Sequence, residues 1–359
     1  MRRLAAWLSL AMLPALAAWG QEAPVQVPVH VPDEATVEVP GNATPVVAEP
    51  VLQPATRSGR EIYRTFREGL ADPDCSGEHS SARWRRHYAA APRRMANGSD
   101  DVLALFGYVV DAVREAGLPT EYALIPFVES GYKPGARSAQ GPAGMWQMIR
   151  LTARAHHVPM HAGYDGRLSP VESTRAAVRY LKTLHGMFAG DWRLAAMAYN
   201  AGEYRVLSAL RRSRQVARSA DPEKLTTLSG ITRAYVRKLH ALSCLFDEVD
   251  EGEQWLQALD RRVPVLEAVE LPDGVRELHA WASANDRDPA RVLRLNPSFA
   301  NGRLARGERE RKVLVPALAP ALLATEAAAA PAVLVPATPA PVAATVPPSA
   351  GPDAAAQAH

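Results

Sequence analysis

The stretch 169–202, "SPVESTRAAVRYLKTLHGMFAGDWRLAAMAYNAG", predicts two consecutive helices and with them a mostly helical domain. Ser169 and Glu172 form a capping box, and Pro170 occupies the first helical position, where its missing N–H costs nothing. Apolar residues then follow at helical spacing. They are Ala177, Leu181, Leu184 and Phe188. This face must pack against other helices.

The second helix of this stretch begins at Asp191 and ends at the stop signals Asn200 and Gly202. Working outward, residues 99–117 and 231–246 carry the same apolar stripe. Strand signals are scarce between these helices. The sequence therefore predicts a mainly α fold for the central part of the chain.

Both ends of the chain have a different texture. Residues 1–20 combine a basic start, a short apolar run broken by Pro14 and small residues before a cut near Gly20, which predicts a cleaved secretory signal rather than a membrane anchor. Residues 21–56 alternate Pro, Val, Ala and acids, as in an extended linker. Residues 317–359 are almost all Ala, Pro, Val and Thr and are expected to be disordered.

The net charge and the cysteine content exclude few classes of protein. The 359 residues carry a formal charge of +3. Cys75 and Cys244 could pair in an oxidising compartment, and the sequence leaves this open. His156, His157 and His161 lack an acid or cysteine partner at zinc-ligand spacing, so no metal site and no cofactor are expected.

The stretch 123–134, "ALIPFVESGYKP", places a single carboxylate, Glu129, among apolar residues. An ordinary glutamate has a pKa of about 4.3, so about one in 500 is protonated at pH 7. Removal of water raises this pKa, and a rise of about two units would protonate roughly one in six. Such a group can protonate a leaving oxygen, as the acid of a glycosidase does. A glutamate on a solvated helix face is the ordinary alternative.

The residues around Glu129 favour a shaped site. Pro126 is expected to block a regular helix before the acid. Residues 131–148, "GYKPGARSAQGPAGMWQM", form a loop rich in Gly and Pro, which is costly in entropy and typical of a binding or catalytic site. This loop is predicted to enter a helix at Met145 and Trp146.

Three blocks together carry a family resemblance. They are "FVESGYKPGARSAQGPAGMWQM", "YDGRLSPVESTRAAVRYLKTLHGMFAGDWRLAAMAYNAG" and "ITRAYVRKL". In this order they resemble the soluble lytic transglycosylase family, the goose-type-lysozyme-like glycosidases of bacterial cell walls. The Tyr-Asp-Gly-Arg segment is most similar to the membrane-bound lytic murein transglycosylase D branch. The resemblance covers roughly residues 60–250.

The resemblance implies a lysozyme-like (goose-type) helical catalytic domain over residues 57–250, with Glu129 acting first as acid and then as base. It also implies a substrate-binding sugar groove lined by Ser138, Gln147, Tyr199 and Asn200, with Tyr235 close behind. Tyr199 could instead be core, and Asn200 could merely end its helix. The family usually has Glu-Thr-Arg where this chain has Ile231-Thr232-Arg233, which weakens the expectation for Tyr235.

The mechanism expected from the sequence uses one acid. Hydrolysis by two carboxylates needs a second one at a defined separation. The nearest candidates are Glu121, which is better interpreted as a first-turn helix acid, and Asp165, in a tight loop. The substrate's own C6 hydroxyl would then attack C1 and form a 1,6-anhydromuramic end. The alternatives are a muramidase that uses water and a non-catalytic wall-binding protein.

Residues 263–316 predict a small separate module with a strand, two short helices and a closing strand "KVLVP". The module resembles a degenerate LysM domain, whose usual Gly-Asp-Thr-Leu start is replaced by residues 272–275, "PDGV". Glycan binding and a purely packing role both remain open.

The expected partners and location follow from the resemblance and the signal. The partner is the glycan strand of peptidoglycan, in the periplasm, with peripheral membrane or wall association allowed. The protein is expected to be a monomer that binds no nucleic acid. The basic stretches "RWRRHY" and "RRSR" are expected to be solvated faces that could touch acidic stem peptides of the wall.

Overall fold

The structure, a computed structural model, describes residues 52–75, 81–98, 101–250 and 253–320. All of them belong to the unit Pro50–His359. The predicted signal peptide and most of the predicted linker and tail lie outside the described residues.

The body of the described chain is helical, as predicted. Its α-helices are α1 Gly59–Glu68, α2 Ala82–His87, α3 Ala91–Ala96, α4 Val102–Glu115, α5 Ile125–Glu129, α6 Arg150–Ala155, α7 Pro170–Met187, α8 Trp192–Ala201, α9 Glu203–Arg212, α10 Gly230–Asp250 and α11 Glu253–Leu259. Short 3-10 turns lie at Thr120–Leu124, Gly166–Leu168, Ala217–Ser219 and Pro222–Lys224. Within the described ranges, none of these helices has the length and apolar character needed to cross a membrane.

The two helices predicted from 169–202 form where their caps indicate. The Ser169 hydroxyl accepts the N–H of Glu172 at 3.2 Å, and α7 begins directly after Ser169, at Pro170. The Asp191 carboxylate accepts two N–H groups of the first turn of α8 at 2.8 and 3.2 Å. Gly202 then ends α8 with a φ of 91°. Local capping therefore sets these boundaries.

An aromatic cluster holds α5 in the centre of the helical core. The ring of Phe127 lies 5.8 Å from Phe106 on α4 and 5.8 Å from Phe246 on α10. It also lies 4.8 Å from Tyr132 in an edge-to-face arrangement. Because Phe127 is buried against three separate segments, the end of α5 has a fixed position.

The expectation of unstructured chain ends is wrong for their inner residues. β1 Leu52–Pro54 and the start of β2 Thr56–Ser58 lie in the predicted linker, and β8 Leu318–Pro320 lies in the predicted tail. A fourth strand, β5 Arg262–Pro264, precedes the C-terminal segment. β1 pairs antiparallel with β8, and β2 pairs antiparallel with β5. Backbone pairing of residues more than 200 positions apart satisfies N–H and C=O groups that the composition alone would leave to water.

The C-terminal segment has the predicted strand–helix–helix–strand order. It consists of β6 Leu266–Glu270, α12 Leu278–Ala284, α13 Pro289–Leu295 and β7 Lys312–Pro316. β6 and β7 pair antiparallel over their full lengths. Leu278, Val292 and Val313 are buried between the strands and the helices.

The C-terminal segment is joined to the helical body through a hairpin, β3 Met160–His161 and β4 Tyr164–Asp165. Tyr164 is buried in the hydrophobic cluster of the C-terminal segment, with its ring 4.9 Å from Phe299. The N–H of Asp165 donates to the carbonyl of Ser298 at 3.0 Å. The two parts therefore share a hydrogen-bonded and apolar contact.

A disulfide, which the sequence left open, joins Cys75 to Cys244. It connects the segment after α1 to the middle of α10, across 169 positions. Closing so long a loop restricts the unfolded chain more than a short one would.

Candidate active site

Glu129 is the last residue of α5, and Pro126 helps to start that helix. The prediction that Pro126 blocks a helix is wrong, because the proline sits in the first turn, where no intrahelical N–H bond is needed. A 3-10 turn over Thr120–Leu124 leads directly into α5. The short helix thus delivers Glu129 at its C-terminal end, half-buried beside a cleft.

Tyr235 contacts Glu129 directly. Its hydroxyl donates a hydrogen bond to Glu129 Oε1 at 2.6 Å from α10. Burial raises the pKa of Glu129 above its ordinary value, while the Tyr235 hydrogen bond and the Lys238 charge act in the opposite direction. The pKa of Tyr88 is raised to about 12, by burial first and then by the charge of Glu129. Glu129 therefore has aromatic and cationic neighbours but keeps a raised pKa.

Ile231 stands where the family usually has a glutamate, and Tyr235 still contacts Glu129. The side chain of Ile231 is 72% exposed, at the start of α10. The first turn is capped instead by Ser229, whose hydroxyl accepts the N–H of Thr232 at 3.1 Å. Tyr235 is buried one turn further along the helix.

The loop 131–148 does not enter a helix at Met145 and Trp146, so that prediction is wrong. Ala143 and Met148 exchange backbone hydrogen bonds at 3.0 and 3.2 Å, which closes a tight hairpin-like turn. Gly144 has a φ of 81°, and a Cβ there would lie 1.7 Å from the Arg167 carbonyl oxygen. A helix cannot pass through this position.

The side chain of Arg167 binds the loop 131–148 through hydrogen bonds. Its guanidinium donates to the carbonyl oxygens of Gly141 at 2.7 Å and Met148 at 3.3 Å. It also forms a double hydrogen bond to the carboxylate of Asp165, at 3.0 and 2.9 Å. Asp165 comes directly from the hairpin that contacts the C-terminal segment, so one chain of contacts links that segment to the loop.

A cleft of about 670 Å³ lies beside Glu129. It is lined by Glu129, Ser138, Pro142, Gln147, Met148, Ile149, Thr152, Tyr180, Tyr199, Asn200, Ala201, Gly202, Tyr204 and Arg205. The structure thus brings Glu129 together with Ser138, Gln147, Tyr199 and Asn200, the four residues predicted to line the groove. Tyr235 does not line the cleft and reaches Glu129 from the buried side.

Three of the predicted groove residues use their polar groups in hydrogen bonds within the protein. The Tyr199 hydroxyl donates to the Trp146 carbonyl at 2.9 Å, so it braces the loop rather than the acid. The Gln147 amide donates to the Gly144 carbonyl at 2.8 Å. Ser138 contacts the side chain of Gln140. Asn200 is exposed at the end of α8 and presents its amide to the cleft.

Sequence reasoning missed the aromatic wall of the cleft. Tyr204 is 78% exposed, and Tyr180 lies 5.8 Å from Tyr199, ring to ring. Exposed aromatic rings in a cleft are suited to stack on sugar faces. The only sequence signal for this wall was a tyrosine two positions after Gly202, the stop signal of α8.

The two other candidate acids are committed elsewhere. Glu121 is fully buried and accepts N–H groups from Ala71 and Asp72 at 2.8 Å each. Burial would raise the pKa of Asp165, but the hydrogen bonds and charge of Arg167 outweigh it and leave that pKa lowered. Among the described residues that line the cleft, Glu129 carries the only carboxylate.

The three histidines considered for a metal do not form one cluster. His156 packs on Tyr180 with a ring distance of 4.6 Å, and His161 contacts Glu308 at 3.2 Å. The described part of the chain contains no group of three His, Cys, Asp or Glu side chains arranged to hold a metal ion.

Residues 110–221 match the family model described as "Transglycosylase SLT domain". They include Glu129, Ser138, Gln147, Tyr199 and Asn200. This part of the chain is similar to transglycosylase SLT domains, and Tyr235 lies beyond the matched residues.

Curated relatives match over parts of their length. "Membrane-bound lytic murein transglycosylase D" of Escherichia coli K12 is 38% identical over 136 residues, which are 38% of this chain and 30% of that protein. A protein of Alteromonas sp. strain M-1 named for tributyltin chloride resistance is 41% identical, over 29% of this chain and 50% of its own. "Peptidoglycan transglycosylase gp16" of phage T7 is 41% identical over 23% of this chain and 6% of its own. The chain thus spans less than a third of the first relative and half of the second.

Proposed function

We propose that the chain is an exported lytic transglycosylase that cleaves the β-1,4 bond between N-acetylmuramic acid and N-acetylglucosamine in peptidoglycan. The observation that carries this proposal is the solitary carboxylate of the cleft. Burial raises the pKa of Glu129. The described lining of the cleft adds polar and aromatic side chains that can bind a sugar, and it contains no second acid. The SLT domain match and the murein-related names of two relatives support the same substrate class.

In the first step, Glu129 donates its proton to the glycosidic oxygen while the C1–O bond breaks. The raised pKa favours the protonated form that this step needs. The N-acetylglucosamine side leaves with its new hydroxyl, and Glu129 is left as a carboxylate. The hydroxyl of Tyr235, 2.6 Å from Oε1, stabilises that charge.

In the second step, the C6 hydroxyl of the muramic residue attacks C1 and gives its proton to Glu129. The product is a 1,6-anhydromuramic end, and the acid returns to its starting form. The 2-acetamido group can assist by stabilising C1. No water enters the product.

Hydrolysis with two carboxylates would need another acid in the cleft. Asp165 is bound by Arg167 and Arg137, with oxygen–nitrogen distances of 2.9 and 3.3 Å, and does not line the cleft. Glu121 is held by backbone N–H groups in the core. These contacts favour the substrate-supplied nucleophile over water.

We propose domain boundaries at 57–250 for the catalytic domain and 263–316 for a LysM-like module. The burial of Tyr164 against Phe299 supports a module whose first role is to brace the catalytic loop. Export is supported by the signal-like residues 1–20, which lie outside the described residues.

The test is digestion of purified murein in water enriched in oxygen-18. The proposal predicts released fragments with anhydromuramic ends, lighter by one water than hydrolysis products and free of the heavy isotope. Reducing muramic ends that carry oxygen-18 would indicate a muramidase. Absence of any release would favour a non-catalytic wall-binding protein.

A further inference from the structure

A second cavity, the extension, lies next to the cleft beside Glu129 and runs along α9. This extension has a volume of about 300 Å³. Its lining is Ala201, Arg205, Ser208, Arg212, Thr227, Leu228, Ser229 and Thr232. Ala201 and Arg205 line both cavities, so the two spaces adjoin.

One helical face builds the wall of the extension. Arg205, Ser208 and Arg212 recur at spacings of three and four along α9, which places them on the same side. Two guanidinium groups with a hydroxyl between them therefore face one space. The stretch "RRSR", first interpreted as a solvated basic face, supplies the second of these arginines.

The charge of the extension is positive. No acid contributes to its lining, and within the described residues neither Arg205 nor Arg212 has an ion-pair partner. The acid of α9, Glu203, accepts a hydrogen bond from the Tyr180 hydroxyl at 2.9 Å. The lining also includes Ser229 and Thr232, which are hydrogen-bonded to each other at the N-terminus of the 21-residue helix α10, and the dipole of that helix places its positive end there.

We propose that this extension is a carboxylate subsite, which binds an acidic substituent of a glycan strand lying in the cleft. The two arginines and the Ser208 hydroxyl are donors that a carboxylate prefers, and the positive end of the α10 dipole adds attraction for its charge. The inference rests on the proposed function for its glycan. It adds a preference for strands with negative charge beyond the cleavage site.

Two sources of carboxylate are chemically equivalent at this subsite. One is the lactyl group of muramic acid, and the other is a peptide attached to that lactyl group. Three preparations of soluble strands separate them: peptide-bearing strands, strands whose peptides have been removed by an amidase, and peptide-bearing strands whose carboxylates have been coupled to methylamine.

The test measures the Kd of these strands in a Glu129→Gln background, so that cleavage does not interfere. The full chain with Arg212→Gln is compared with the full chain with Arg211→Gln, an exposed arginine of the same helix that does not line the extension. Loss of one partly exposed arginine–carboxylate pair should weaken binding of acidic strands about fivefold. Arg211→Gln should leave binding unchanged, and Arg212→Lys should retain part of it.

The pattern across the preparations identifies the source. A preference for peptide-bearing strands alone supports a peptide carboxylate. A preference for amidase-treated strands alone supports the lactyl carboxylate, which is free only after the amidase has cut its amide bond to the peptide. A preference for both over the methylamine-coupled strands supports a subsite that takes either carboxylate. Equal Kd values for all three, or equal effects of Arg212→Gln and Arg211→Gln, would overturn the subsite. Because the readout is binding, a failure of the subsite is distinct from a failure of the wild-type protein to release fragments from murein.

Discussion

The surroundings of two glutamates of one segment, Glu121 and Glu129, differ in a way that separates structure from chemistry. Burial raises the pKa of both. Glu121 has no exposed surface and accepts backbone N–H groups of Ala71 and Asp72. Glu129 opens on a cleft and accepts one hydrogen bond, from Tyr235. Burial alone therefore does not identify a catalytic acid. The acid that can react is the one whose carboxyl group opens on the cleft and is not held by backbone N–H groups.

The largest expected effect comes from Glu129→Gln. Removal of the only acid of the described cleft lining should lower murein cleavage by roughly 10²- to 10⁴-fold, the usual contribution of a general acid or base. The measurement is initial rate of fragment release, with the exposed Glu115→Gln as control.

The same substitution should not destabilise the fold. The raised pKa means that ionisation of Glu129 opposes folding, so its contribution is favourable at low pH and is lost as pH rises through the folded-state pKa. Glu129→Gln should therefore match or exceed the wild type in free energy of unfolding above the ordinary glutamate range. A large loss of stability there would place Glu129 with Glu121, as a structural acid.

The complementary change, Glu121→Ala, should act on stability instead. It leaves the N–H groups of Ala71 and Asp72 without their acceptor, which should lower the free energy of unfolding by about 2–4 kcal/mol. Urea unfolding measures this loss, and the cleavage rate per folded molecule should be unchanged. A fall in that rate as large as for Glu129→Gln would contradict a purely structural role for Glu121.

A smaller effect is expected from Tyr235→Phe. The lost hydrogen bond favours the charged form of Glu129, so the pKa of Glu129 should rise further. Because the first step needs the protonated acid, the alkaline limb of the pH–rate profile should move to higher pH. Tyr108→Phe, at a half-buried tyrosine on α4, serves as control. An unmoved limb would mean that Tyr235 does not stabilise the charge.

Features encoded locally could be predicted from the sequence. The caps Ser169 and Asp191 set their helices through residues at most three positions away. Glu129 was recognisable because its apolar neighbours are adjacent in the chain and the family blocks are long. The groove residues Ser138, Gln147 and Asn200 remain predictions as substrate contacts, although they line one cleft.

Features that depend on distant partners could not be predicted. The turn at Gly144 is imposed by the Arg167 carbonyl, and the end strand β1 forms only because β8 is alongside. The hydrogen bond between Tyr235 and Glu129 spans 106 positions and has no local signal, so only the family resemblance placed Tyr235 near the groove. These are tertiary effects that override the pattern of the nearby sequence.

The proposed mechanism depends on the raised pKa of Glu129, which favours its protonated form beside the cleft. The most direct measurement is a carbon-13 NMR titration of the Glu129 carboxyl group, assigned by its absence from Glu129→Gln. We expect a midpoint above the ordinary value of about 4.3 and a further rise in Tyr235→Phe. A midpoint at or below that value in the wild-type protein would contradict it.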